Sequence, residues 1–419
     1  MSPRLNTKEN IMENEDHRSL GRRLRLFDTV PVIGAGLPIW LPDGAVIRGE
    51  LERMAAEIAE RTGCVRVHTP VLAKRALFEQ SGHWDKFAED MFPAMKVGED
   101  ELVLRPANCP SHVQVYAAEA HSWRDLPVRL IESASMFRSE LSGVLGGLSR
   151  VRQISLDDAH VFCMPVQVVD EVVLALDAIA DAYAVLGIDV DHYRLSGRGQ
   201  AGAGSDEDWD ASEADLRAAL DRRGIPYVHV PGEGAFYGPK IDVQVRDAAG
   251  REETLSTVQV DRVLPERFGL VYVGSDGAKH RPVMVHRGLL SSMERLVALL
   301  IERYQGRFPT WLSPVQVALV PMDPRRHADA AELVQARMSA AGIRVRVLDR
   351  GSLGSRIARA HALQAPYIAV LGDREAADGT LTVDARAVPV HDLIAAIRDE
   401  IDSRAQRPVI LGEGVSGAA

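Results

Sequence analysis

The chain has 419 residues, 46% of them hydrophobic, and a formal net charge of −10; that length exceeds one core and suits two or three domains, while the acidic balance argues against a general nucleic-acid binder but not against a local basic groove. Three cysteines are too sparse, and odd in number, for a disulfide framework, so a thiolate metal ligand stays open. The most apolar run, "VVLALDAIADAYAVLGI", is broken by Asp177 and Asp181, and "MSPRLNTKENIMENEDHR" has no apolar stretch for a signal peptide, so a cytoplasmic protein without a membrane partner is expected.

In chain order, residues 1–17 are polar and read as a flexible tail. "GELERMAAEIAERTG" has helical spacing and stops on Gly63. "RVHTPVLA" is extended, with Pro70 at an edge or bend, and the run holding Asp177 and Asp181 is an amphipathic helix. "GRGQAGAGSDEDW" reads as a surface loop. It leads into a helix over "DASEADLRAALDRRGIP", where Asp210 and Glu213 have capping-box spacing and Gly224 with Pro226 forms the stop. "KIDVQVRD" alternates Ile241, Val243 and Val245 with polar residues, as a half-buried antiparallel strand does. Past a hinge at "FPTWLSP", the segments "VQVALVPM", "RRHADAAELVQARMSAAG", "IRVRVLD", "SLGSRIARAHALQA" and "YIAVLGD" give a β-α-β-α-β order and hence a compact α/β domain. The expected division is 18–308, 309–404 and a second flexible tail over 405–419, with no internal repeat.

"LDDAHVFC", Leu156 to Cys163, could be a metal site, an acid/base pair or an ordinary strand. Two other places bear on it: "LRPANCPSH" around Cys109 and "VMVHRGLLSSMERL" with His286. Two imidazoles and a thiolate suit a zinc ion with an open fourth position, although residues so far apart in sequence serve equally well as core filler. "MFRSELSGVLGGLSRVR" sets Arg138, Glu140, Arg150 and Arg152 around a Gly-rich turn, and Arg295 follows on the helix after His286. An ordered set of guanidinium groups matches the phosphates of a nucleoside triphosphate, though any one of them alone would pass for a solvated surface charge.

Taken together, "FRSE…SG…GL.RVR…DDAH.F" resembles motif 2 of the class II aminoacyl-tRNA synthetases in its threonyl-tRNA synthetase form, "HR.LL.SMER" is similar to motif 3, and "GCVRVHTP" resembles the dimer-forming motif 1. "SGHWDKF…MF", "RPANCP" and "GEGAFYGPKID" are also similar to that family, and the resemblance runs from about Asp16 to Ser403. It implies a class II antiparallel sheet flanked by helices, followed by a small α/β anticodon-binding-like domain, in a form without the N-terminal editing domain. The implied activity is ATP-dependent activation of L-threonine, with magnesium, and transfer to tRNA(Thr) by a homodimer. Cys109, His160 and His286 would hold zinc, and Asp158, Tyr237 and Gln259 would bind threonine. Arg138 would take the α-phosphate, Glu140 the adenine amino group, and Arg150 and Arg295 the γ-phosphate of ATP. His83 would lie near the terminal adenosine of tRNA. A hydroxyl-chelating zinc would reject valine but not serine.

The departures from the family pattern gather on the nucleotide side. Leu156 replaces a glutamine and Ala107 a methionine; Glu253, Thr254 and Ser256 replace tryptophan, glutamine and glycine; Ser291 replaces the motif 3 glycine. Altered adenylation is therefore expected, with threonine recognition intact. Asp384 stands where the family has an anticodon-reading arginine, while Glu375 is kept. Alternative roles are a threonine-activating paralogue that loads a non-tRNA acceptor such as a carrier protein, an inhibitor-resistant duplicate synthetase, or a non-catalytic threonine- or tRNA-binding regulator.

Overall fold

The computed structural model describes residues 15–408, so the two expected tails lie largely outside it. Asp16 and His17 are described, and His17 opens the first helix, α1 (His17–Arg23), where the Asp16 carboxylate accepts from the Ser19 amide at 2.8 Å. Helix α2 (Pro42–Arg61) follows the predicted periodicity, burying Ile47, Leu51, Met54 and Ile58. The two-residue strand β1 (Val65–Arg66) then pairs parallel to β2 (Val128–Phe137) at the edge of an eight-stranded sheet. Between them, helix α3 (Cys109–Ala117) carries the first of the expected ligands at its first residue.

The sheet continues with β3 (Gln153–Cys163), helix α4 (Val168–Leu186), β4 (His192–Ser196), helix α5 (Asp206–Arg222), β5 (Tyr227–Val230), β6 (Lys240–Arg246), β7 (Glu252–Asp261) and β8 (Val283–Ser292). Its order is β5-β4-β6-β7-β8-β3-β2-β1, antiparallel except at the two outermost pairs. Side chains alternate between faces. Val161, Val258, Val260, Val283 and Val285 join the main core under α2, α4 and α6 (Met293–Tyr304). Their sequence neighbours, among them His160, Gln259 and His286, fall on the other face. Helix α5 begins earlier than the Asp210–Glu213 spacing suggests: the Ser205 side chain accepts from the Asp208 amide at 3.1 Å, so Asp206 to Trp209 form the first turn rather than loop.

The C-terminal sheet runs β10-β9-β11-β12-β13, from β9 (Val317–Pro321), β10 (Val345–Val347), β11 (Tyr367–Leu371), β12 (Thr380–Val383) and β13 (Arg386–Pro389). Helices α7 (Ala328–Ala340) and α8 (Leu353–Ala362) make the parallel crossovers that the sequence predicts. The antiparallel hairpin β12–β13 and helix α9 (Val390–Ser403) are additions to that expectation. The hairpin turn is Asp384-Ala385, both at positive φ (46° and 60°), with Val383 opposite Arg386. Three acids on one stripe of α2 reach this second unit: Asp43 pairs with Arg346 and Glu50 with Arg344, each at 2.7 Å, and Glu57 pairs with Arg404. No helix among the described residues is long and apolar enough to cross a membrane.

Candidate active site

Three neighbouring strands build the floor of the site. His160 on β3 lies opposite His286 on β8, and His286 lies opposite Gln259 on β7. The period of two puts all three on the face turned away from the main core. Cys109 approaches from above, on the first turn of α3. One ligand atom each from Cys109, His160 and His286 lies within 4.8 Å of the others, and all three residues are buried.

Each is oriented by a further partner. His286 Nε2 is 3.0 Å from Asp261 Oδ2, which leaves Nδ1 for a ligand. His160 Nδ1 is 2.8 Å from His112 Nδ1, which leaves Nε2. Cys109 Sγ is 3.6 Å from His83 Nε2. Burial holds the His160 imidazole neutral, the form that ligates, with the cationic forms of His286 and His112 opposing its protonation as well. Burial also pushes the Cys109 thiol up, helped by the Asp158 and Asp261 carboxylates. A thiol so placed ionises readily only beside a strong positive charge, and a dication supplies one. The donor set therefore fits zinc.

The question posed by the paired acids has a geometric answer. Asp157 and Asp158 point to opposite faces of β3. Asp157 Oδ1 accepts from the Leu290 amide at 3.0 Å and so pins the register shift between Gly288 and Ser292 on β8. Burial pushes its carboxyl up to about 7. Asp158 faces the metal cradle, where one carboxylate oxygen is 3.7 Å from His160 Nε2. Burial, with the Asp157 and Glu132 charges, pushes it up to about 8, a value that the ammonium of a bound amino acid would oppose. The Tyr237 hydroxyl donates to Gln259 Oε1 at 2.7 Å, and its ring stacks on His286 with centroids 4.8 Å apart. His83 is 2% exposed, its Nδ1 lies 2.8 Å from Ser81 Oγ, and burial lowers its pKa to about 3.

A cleft of about 340 Å³ opens beside this pocket, lined by Arg138, Glu140, Arg150, Leu156, Ser291 and Arg295 among others. Glu140 and Arg150 pair with each other at 2.8 Å. Arg295 donates from Nη1 to the Thr254 carbonyl at 3.3 Å. Arg152, counted with the phosphate-binding arginines from sequence, instead donates to the carbonyls of Ser139, Ala35 and Glu140. Ser256 also turns away from the cleft, bonding Tyr183 and the Leu289 carbonyl inside the core. Ser291 adopts φ +63°, a conformation natural to glycine and strained for serine.

Comparison with known proteins settles the kinship of this arrangement. Residues 92–304 match the tRNA synthetase class II core domain (G, H, P, S and T), and residues 316–400 match an anticodon binding domain. A threonine–tRNA ligase of Listeria welshimeri is 48% identical over 376 residues, 88% of this chain and 59% of that one. Threonine–tRNA ligase 1 of Bacillus subtilis is 46% identical over 376 residues, 88% of this chain and 58% of that one. A crystal structure described as the RNA binding domain of threonyl-tRNA synthetase from Cryptosporidium parvum superposes with a TM-score of 0.88 at 34% identity, covering 94% of this chain and all of that one. The chain belongs to the threonyl-tRNA synthetase family. It spans about 59% of the length of the Listeria relative. The class II fold read from the sequence is the fold observed.

No motif in the sequence marks the residues behind the three candidate ligands: Asp261, His112, Asn108, Glu132 and Arg105 are all buried polar groups held by hydrogen bonds. Part of the signal was there: Asn108 and His112 are four apart at the start of a helix, which puts them on one face. Glu132 lies on β2, and no local spacing connects it to them.

Proposed function

We propose that the chain activates L-threonine with ATP and magnesium as threonyl-adenylate and transfers it to tRNA(Thr). The observation that carries this reading is the convergence of Cys109, His160 and His286 directly beside Asp158 and the Tyr237–Gln259 pair. A zinc ion held there would supply an open position able to chelate the amino group and hydroxyl of threonine together. Asp158 then accepts from the threonine hydroxyl, and Tyr237 and Gln259 close the pocket around it. Valine presents no hydroxyl to these groups; serine does.

Arg138 neutralises the α-phosphate as the threonine carboxylate attacks it, and Arg295 and Arg150 restrain the γ-phosphate. Glu140 reads the adenine amino group once Arg150 moves from it to phosphate. No side-chain nucleophile is required, because positioning and charge neutralisation carry the step. His83 is neutral, but a pKa lowered to about 3 makes it a weak base, so its role beside the terminal adenosine is positioning rather than proton acceptance.

The division of labour we infer is catalysis within 18–308 and anticodon-side contact within 309–404. A homodimer fits the edge position of β1, where Val65 is 64% exposed and a twin strand could pair. The setting is the cytoplasm, where threonine, ATP and tRNA meet. Amino-acid-dependent ATP–pyrophosphate exchange tests the reading: threonine and serine should support it and valine should not. Equal exchange with valine would defeat the hydroxyl-reading pocket. At the distal turn, Asp384→Arg is expected to improve charging by roughly 1–3 kcal/mol if a bidentate base contact is restored, measured with native and altered anticodons.

A further inference from the structure

The metal cradle is tied to a buried network that runs away from the substrate pocket. His112 lies on α3 with Cys109 and is fully buried. Its ring crosses that of His160 at 88°, with centroids 4.8 Å apart and the two Nδ1 atoms 2.8 Å apart. His112 Nε2 is 2.9 Å from Asn108 Nδ2 and 3.4 Å from Glu132 Oε2. The Asn108 amide is fixed in orientation, since its Oδ1 accepts from Arg105 Nη1 at 2.7 Å and its Nδ2 donates to Glu132 at 3.3 Å. Glu132 also accepts from the Thr69 hydroxyl at 2.7 Å, the Thr69 amide at 3.2 Å and Arg105 Nη2 at 3.0 Å.

Two neutral imidazoles that meet Nδ1 to Nδ1 share one hydrogen between them. If His112 supplies it, His112 Nε2 accepts from Asn108, and His160 carries its own proton on Nε2. In that arrangement His160 cannot ligate. If His160 supplies it, His160 Nε2 becomes a free lone pair, and His112 Nε2–H donates to Glu132 Oε2, now 3.4 Å away, which requires the Asn108 Nδ2 donor, 2.9 Å from Nε2, to draw back from the ring. The number of protons is the same in both arrangements; only their places differ.

We infer that His112 is a positioning residue for the metal: it accepts the His160 Nδ1 proton, frees Nε2 as a ligand, and hands the change on to Glu132. The inference rests on the zinc reading proposed above. It goes further by linking metal occupancy to Thr69, which lies in the segment next to edge strand β1. Outer partners of this kind commonly change metal affinity 10–100-fold or so.

The test uses the full chain with 15N-labelled histidine, stripped of metal and then reloaded with zinc. The His112 signal is expected in the Nδ1–H form without metal and in the Nε2–H form with it. In chelator competition, His112→Leu and Glu132→Gln are each expected to weaken zinc binding by about 10–100-fold. His112→Asn keeps an acceptor where Nδ1 stood and is expected to recover much of the loss. If His112→Leu does not fold, Glu132→Gln and the tautomer measurement decide. An unchanged His112 tautomer, or zinc affinity within about threefold of native in folded Glu132→Gln, overturns the inference. If the native protein takes up no zinc, the zinc reading has failed first, a result visible before any variant is made.

Discussion

The two halves of the pocket face the same sheet yet are finished differently. On the amino-acid side, His286, His160 and Cys109 each meet a buried partner, Asp261, His112 and His83 respectively. On the nucleotide side, Leu156 offers nothing to hydrogen-bond, Ser291 is held at φ +63°, and Glu140 and Arg150 satisfy each other. A buried polar group is costly to leave without a partner, so the first half tolerates little change. An open cleft that water can enter imposes no such penalty. On the proposed reading, the half assigned to threonine is therefore the less free to change, and the half assigned to ATP the freer.

The sharpest way to break this comparison is at the cradle. Cys109→Ser is expected to lose zinc and to lower threonine-dependent exchange by about 100-fold or more, read from metal content alongside exchange rate. A variant that keeps full exchange without metal would erase the contrast between the halves. Arg138→Ala is the counterpart across the pocket. It should reduce the exchange rate by about 10²–10³-fold, with the threonine dependence of metal-site binding unaltered. The next effect is a gain. Leu156→Gln places a polar group in the cleft and should raise the exchange rate by roughly 10–100-fold if that group bonds the charged reactants, a contact of about 1.5–3 kcal/mol. No gain at all would show that the nucleotide half is already complete as it stands. The smallest effect is expected at Ser291→Gly, which relieves a left-handed backbone and should stabilise the fold by about 1 kcal/mol, seen as a raised Tm.

Much of the amino-acid half was legible in the sequence because its residues sit in distinctive strings: "NCP", "DDAH" and "MVHR" carry Cys109, His160 and His286. Strand alternation then accounts for Asp157 and Asp158 parting to opposite faces. The nucleotide half was less legible because arginine side chains compete for acceptors that lie far off in sequence. Nothing in "SRVR" tells that Arg152 is held by three carbonyls, one of them from Ala35, while Arg150 is held by Glu140. In the C-terminal unit the alternation of strands and helices was plain. The hairpin at Asp384-Ala385 was not, since its two-residue turn lacks the Asn-Gly or Asp-Gly pair that usually announces one. Aspartate tolerates a left-handed conformation, so Asp384 has a backbone reason to be there besides any effect on an anticodon. The start of α5 was misplaced because Ser205 and Asp210 both look like caps, and only the Ser205 contact with the Asp208 amide decides between them.

Asp43, Glu50 and Glu57 recur every seven residues along α2, which spaces the three ion pairs over about 21 Å and drifts them around the helix by only about 40°. In mechanical terms they are three pins set almost in a line. Such a row resists tipping: to lift the C-terminal unit off one end, a lever as long as the row must work against the pins at the other. It offers little resistance to rolling about its own axis. Arg344 stiffens the arrangement locally, since the same side chain also grips the carbonyls of Trp311 and Ser313 in the connecting segment. Two contacts off that row, Arg307 donating to Gln364 Oε1 at 3.1 Å and Gln406 donating to the Ala184 carbonyl at 2.7 Å, supply the missing restraint, so the second unit is braced against rolling by different groups from those that brace it against tipping.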